Sequence, residues 1–396
     1  MRWDGQRVGA LPDDQSDGGE EPALPGMPEA PGLVRSVRPP DFAGITFHEV
    51  RAKSALNRVP AASRMPFSWT VNPYRGCTHA CTYCFARNTH TYLELDPGDD
   101  FDRQIVVKVN VAAVLRRELA RPSWQREQVA LGTNTDPYQR AEGRYRLMPG
   151  IIEALRDSGT PFSILTKGTL LGRDLPLLEH AATRVPVGVG LSLALLDEQL
   201  QASLEPGTPS PRARLWLIRR IRAAGLRCGV LVAPLLPHLT DSQQQIDELV
   251  GELADAGVTS VSAIGLHLRP GTKDWFLKWL AGYRPDLVDT YAALYRRGAY
   301  LPADYRREID ERFRNAMAGA GLQGSASPEQ VTSWDEHFAA VDGTTPRFTG
   351  LVFPGRVRHA GLVGRHPDAT APEVTRTAAA PRSSGDRTDG EQLRLL

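Results

Sequence analysis

Short apolar runs alternate with helical patterns through the middle of this chain. Six runs read as buried strands: "FSWTVN" (67–72), "QVALGTN" (128–134), "FSILTK" (162–167), "VGVGLSLAL" (187–195), "CGVLVAPLL" (228–236) and "TSVSAIGLHL" (259–268). Between them the periodicity predicts helices at 110–120, 148–158, 173–183, 211–224 and 242–256. Asp241, with "SQQ" behind it, fits a helix cap, and Gly159, Gly225 and Gly257 each follow a helical run as C-terminal stops do. Strand–helix alternation at this spacing predicts parallel βαβ units. Six strands are too few for a closed eight-stranded barrel, so the expected fold is α/β, an open or partial TIM-like barrel. After residue 270 the pattern turns helical, in "TKDWFLKWLAGY", "DLVDTYAALYRR" and "PADYRREIDERFRNAMAGAG". That predicts a helical C-terminal extension packed on the barrel. Within it "WFLKWL" (275–280) reads as core packing, with a groove lined by its aromatics as the rival reading.

Both ends lack periodicity. Residues 1–43 and 366–396 are rich in small, polar and Pro residues and are expected to be disordered or extended. The resulting division is 1–43, a barrel over 44–270, a helical extension over 271–365, and a tail over 366–396.

With 396 residues, 41% of them hydrophobic, the chain can bury one large core or two ordinary ones. A formal net charge of +1 gives no global case for a nucleic-acid or membrane partner. Only five of the 47 basic residues are lysines (Lys53, Lys108, Lys167, Lys273 and Lys278), a bias read as compositional drift rather than a binding device. No stretch approaches the roughly 20 apolar residues of a membrane span. The N-terminal residues carry acids and no apolar core of a secretory signal, so the expected location is cytoplasmic. In that reducing compartment a cysteine cluster points to metal or redox chemistry rather than to disulfides.

Three of the chain's four cysteines, Cys77, Cys81 and Cys84, fall in "RGCTHACTYCFAR", just beyond the first strand. Parallel α/β folds build their active sites at that end of the strands. A structural zinc site wants four ligands, usually as two paired knuckles, and the nearest histidines, His79 and His90, lie at unusual offsets for it. A zinc-stabilised binding protein nevertheless stands as the rival from another class. Three thiolates on a four-iron cluster fit the trio better and leave one iron open.

The CxxxCxxC spacing, with Tyr83 before the last cysteine, resembles the radical S-adenosylmethionine (SAM) superfamily. "NPYRGCTHACTYCFAR", "GTNTDPYQ", "LTKG", "EPGTPSPRARL" and the upstream "AKSALN" resemble the branch around spore photoproduct lyase, in the same order along residues 44–285. The resemblance implies a partial (β/α)6 barrel, a 4Fe-4S cluster on the three cysteines, and SAM chelated to the open iron. It also implies reductive cleavage to methionine and a 5′-deoxyadenosyl radical that abstracts hydrogen from a substrate. One-electron reduction in turn implies a donor of the flavodoxin or ferredoxin type. Repair of a damaged nucleobase is the more specific version of this reading, and no basic stripe with interleaved aromatics supports it.

The resemblance also marks cofactor-binding candidates. Tyr83 belongs to the cysteine motif. Thr135 and Asp136 end the second strand, where the superfamily holds the methionine ammonium. Lys167 ends the third strand and is a point charge for the cofactor carboxylate. Ser192 lies on the fourth strand. Arg212 and Arg214 open the helix after "EPGTPSP"; positions i and i+2 do not share a helix face, so one of them, Arg214, is expected to point inward. Spore photoproduct lyases place a hydrogen-donating cysteine near the end of strand two, and "LGTNTDP" has none. The spare thiol, Cys228, begins strand five and is expected to be a buried core residue.

Overall fold

The computed structural model describes residues 32–60, 65 and 67–322. Strand β1 (Leu33–Val37) is followed by β2 (Thr46–Val50), β3 (Leu56–Arg58), β4 (Trp69–Val71) and the two-residue β5 (Tyr74–Arg75). A 3-10 helix (Phe85–Leu93) and helix α1 (Asp99–Arg103) lead to β6 (Gln104–Lys108). Then come α2 (Val111–Leu119), β7 (Val129–Leu131), α3 (Ala141–Tyr145), α4 (Leu147–Asp157), β8 (Phe162–Thr166), α5 (Leu175–Ala182) and β9 (Val187–Ser192). They continue through α6 (Glu198–Leu204), α7 (Pro211–Ala223), β10 (Cys228–Leu235), α8 (Gln243–Asp255) and β11 (Ser260–Gly265). Helices α9 (Thr272–Tyr283), α10 (Val288–Leu294) and α11 (Ala303–Gly319) complete the described chain.

One seven-stranded sheet runs β11-β10-β9-β8-β7-β4-β3. Its neighbours from β4 to β11 are all parallel, and β3 adds antiparallel to the β4 edge. The sheet is therefore an open, partial barrel, with the six expected strands in the expected sense. Every residue of β9 is buried, as befits a strand covered on both faces. Val129, Ile164, Val189 and Val232 are inaccessible to solvent and anchor the core. The five expected helices are also present, and the extension after residue 270 is helical as far as it is described. The tail expected over 366–396 and the segment 323–365 lie outside the described residues, as do residues 1–31.

Two expectations need correction. The terminal segment put at 1–43 contains β1, which pairs antiparallel with β2. It belongs to a second, four-stranded sheet of order β1-β2-β6-β5 that the apolar pattern did not reveal. The cap of α8 is Ser242, not Asp241: Ser242 and Gln245 form a reciprocal capping box. Asp241 instead accepts hydrogen bonds from the His238 amide and the Tyr305 hydroxyl, tying the end of β10 to α11.

The second sheet grips the cysteine loop at both ends. β5 precedes Gly76 and Cys77, and β6 receives the chain after α1, with Arg75 paired to Val106. Phe47, Tyr74, Ile105 and Val107 form a small core beneath it. No helix among the described residues is long and apolar enough to cross a membrane.

Candidate active site at the strand ends

Cys77, Cys81 and Cys84 are free, Cys77 and Cys81 buried and Cys84 partly so. Burial is the largest influence on each and pushes all three thiols up, against the pull of Lys167 on Cys81 and of Arg87 on Cys84. The loop is held from inside by Arg87, which is wholly buried. Its guanidinium donates to the Cys81 carbonyl (3.1 and 2.9 Å), to Gly98 O (2.8 Å) and to both oxygens of Asp102 (2.9 Å). From α9, the Thr272 hydroxyl donates to Cys84 O at 3.1 Å.

Two glycines let neighbouring loops approach. A Cβ on Gly207 would fall 1.9 Å from Thr78 O, and one on Gly168 would fall 2.0 Å from Tyr138 O. These are the glycines of "EPGT" and "LTKG", so both motifs need their glycine for backbone-to-backbone packing.

Asp136 is the hub of one network. Its carboxylate accepts from Tyr138 N (2.8 Å), Thr166 Oγ1 (2.5 Å) and Lys167 N (2.6 Å), and lies 3.3 Å from His79 Nδ1. Burial works to raise its pKa, but His79, the Lys167 amide and the Thr166 hydroxyl outweigh it and hold the group at about 2. Thr135 is buried and donates to Tyr74 O at 3.0 Å, joining the end of β7 to β5.

A second network centres on Glu205. This carboxylate is fully buried, accepts from the Tyr83 hydroxyl, and pairs with Arg214 at 2.5 Å. Arg214 points inward as expected and also donates to Pro209 O, Ser192 O and Thr208 Oγ1. Arg212 is exposed. Burial pushes Glu205 up, and Arg214 and Lys167 pull it down to about 2. Lys167 Nζ donates to Ser192 Oγ at 3.1 Å and stands 5.6 Å from the centre of the Tyr83 ring. The structure thus brings Tyr83, Lys167, Ser192 and Arg214 together through a residue that the sequence reading missed. Glu205 opens the "EPGTPSPRARL" motif, and that position was the signal that could have found it.

His79 and His90 are engaged elsewhere: His79 with Asp136, His90 through Nε2 with Gln104 O at 2.9 Å. Among the described residues no three His, Cys, Asp or Glu side chains converge as ligands of a single metal ion. Four buried oxygens at this end of the barrel, Asn72 Oδ1, Thr78 Oγ1, Thr82 Oγ1 and Asn134 Oδ1, have no hydrogen-bond partner in the protein. Cys228 is fully buried at the start of β10, its thiol pushed up to about 12 by burial.

An open parallel barrel with three cysteines at its strand ends defines a class, and comparison agrees. The chain belongs to the radical SAM superfamily, whose model matches residues 71–250. It is 61% identical over 328 residues to an uncharacterized protein of Mycobacterium tuberculosis, covering 83% of this chain and 95% of that one. An uncharacterized protein of Acidianus two-tailed virus is 31% identical over 210 residues, 51% of this chain and 68% of its own. Among solved structures, spore photoproduct lyase complexed with dinucleoside spore photoproduct superposes with a TM-score of 0.53, at 18% identity, over 69% of this chain and 79% of that one. That likeness is one of fold.

Proposed function

We propose that the protein is a radical SAM enzyme whose Cys77, Cys81 and Cys84 hold a 4Fe-4S cluster with SAM bound beside it. The observation that carries this reading is the gathering of three free thiols on one loop at the strand ends of a parallel barrel. The donor set suits the group. Burial keeps these thiols protonated, and a metal is what makes such a group a thiolate. Three separated sulfurs suit a cluster, which takes each on a different iron, better than one tetrahedral zinc. When bound, the pair supplies a 5′-deoxyadenosyl radical for hydrogen abstraction from a substrate.

The protein's own residues do the holding. Lys167 presents a cation for the SAM carboxylate. Asn72 and Asn134 offer buried carbonyl oxygens with no other partner, suited to an ammonium group. Asp136 fixes the Lys167 backbone, and Arg214 acts through Glu205 on Tyr83, so both position the site rather than offer a free charge. Free thiols of this kind suit a reducing, cytoplasmic setting. The absence of a cysteine from "LGTNTDP" argues against the thiol-dependent form of nucleobase repair.

Replacing any one of the three cysteines with Ala is expected to abolish both the broad absorption near ~400 nm typical of such clusters and the formation of 5′-deoxyadenosine. Stoichiometric iron and sulfide retained by the triple-alanine protein, purified without oxygen, would end the reading.

A further inference from the structure

A groove of about 400 Å³ runs beside α9, lined by Thr82, Ser203, Trp275, Lys278, Trp279 and Tyr283 among others. We propose that it is the docking site of a small acidic one-electron carrier protein that reduces the cysteine site, an inference that rests on the cluster reading above.

Position is the first argument. Thr82 lies between Cys81 and Cys84 in the chain, so the groove reaches the backbone joining two of the three ligand candidates. The Trp275 ring stands 4.9 Å from the guanidinium carbon of Arg87, and that guanidinium donates twice to the Cys81 carbonyl. The helix carrying the groove's aromatics is itself hydrogen-bonded to the loop, through Thr272 and Cys84 O. A carrier seated here meets the loop at Thr82, next in the chain to Cys81. The groove uses none of Asp136, Lys167, Ser192 or Arg214, so a docked protein leaves the SAM side of the site free.

Composition is the second argument. Lys278 is exposed, and no carboxylate lines the groove. The charge therefore complements an acidic partner, and such complementarity governs encounter rate. Trp279 and Tyr283 stack with centroids 5.2 Å apart, and Tyr283 remains 39% exposed. Exposed, prepositioned aromatics of this kind are the anchors protein interfaces favour. The step itself is balanced: one electron leaves the carrier, which is oxidised by one unit, and the metal centre is reduced by one. No bond or proton moves.

The test compares two reductants on the anaerobic holoenzyme, following bleaching near ~400 nm. With a reduced flavodoxin of acidic surface, Lys278→Glu is expected to slow reduction about tenfold at low salt, a gap that closes at high salt. With sodium dithionite, which needs no docking, wild type and variant are expected to match. Tyr283→Ala is expected to weaken flavodoxin binding in a calorimetric titration, which reads the interface without turnover. The exposed Arg117→Glu, far from the groove, serves as the charge control and is expected to behave as wild type. Equal flavodoxin rates for wild type and Lys278→Glu overturn the docking site alone. A wild-type protein that dithionite fails to bleach sinks the cluster reading, and docking with it. Bleaching slowed equally with both reductants shows that Lys278→Glu disturbs the centre rather than docking, and also overturns the proposal.

Discussion

Lys167 keeps its charge in a half-buried position because the surrounding groups outweigh the cost of burial. Burial lowers its pKa, and its charged surroundings, the Glu205 carboxylate first among them, outweigh that and raise it. A cation held this way is worth more to a carboxylate than an exposed one. Lys167→Ala is expected to weaken SAM binding by about 1.5–3 kcal/mol, read by anaerobic equilibrium dialysis, with the cluster spectrum unchanged. Equal affinities would remove Lys167 from the site. Cys228 is the opposite case, a fully buried thiol at the start of a strand. It sits at the N-terminal end of β10, and the proposed site lies at the opposite ends of the strands. Cys228→Ser should retain both cluster and 5′-deoxyadenosine formation, losing only stability; a variant with intact cluster but stalled turnover would restore a thiol-dependent mechanism. The clustering of the cysteines was legible in their spacing, and the resemblance marked Lys167 at a strand end and the inward turn of Arg214. Glu205 opens the same motif as Arg214 but was passed over, since one buried acid leaves no periodic trace.

At the scale of elements, legibility followed burial chemistry. The six barrel strands are nearly all apolar and were found. All five residues of β2 are buried too, yet the strand reads "TFHEV". Its polar members are satisfied internally: His48 by Ser36 and Gln104, Glu49 by Arg35 and Tyr145. A strand whose buried positions are hydrogen-bonded rather than apolar escapes a hydrophobic pattern. The same kind of pairing couples the loop after α6 to α7. Because Arg214 and Glu205 are both fully buried, Glu205→Gln leaves a buried guanidinium uncompensated. The expected loss is about 3–5 kcal/mol in urea unfolding. The double variant Arg214→Met/Glu205→Gln should recover part of it. Additive losses would show that the pair is not coupled.

For the molecule as a whole, the joint between the small sheet and the cysteine loop sets an acid limit. His90 packs edge-on against Phe101 at 5.1 Å and bonds Gln104 O, and burial holds its pKa down at about 4. The unfolded chain, with a pKa near 6.5, binds the proton first as pH falls. Between those values the unfolded state carries more protons, so stability rises with pH. Going from pH 7 to pH 5 should cost about 2 kcal/mol from this residue, measured by urea titration. His90→Gln should flatten that dependence; an unchanged slope would place the acid sensitivity elsewhere.

The pairing of β5 with β6 has one more consequence. The chain leaves the small sheet at Arg75 and returns at Gln104, and Arg75 stands opposite Val106. The excursion between them, which carries every candidate iron ligand, is therefore a cartridge clipped into a fixed socket. Doubling the length of such an excursion costs only about 0.6 kcal/mol in closure entropy, and neither end moves. Length changes inside the excursion need not disturb barrel register, whereas Gly98, whose carbonyl anchors Arg87, and the buried Leu95 are expected to be retained among this protein's relatives.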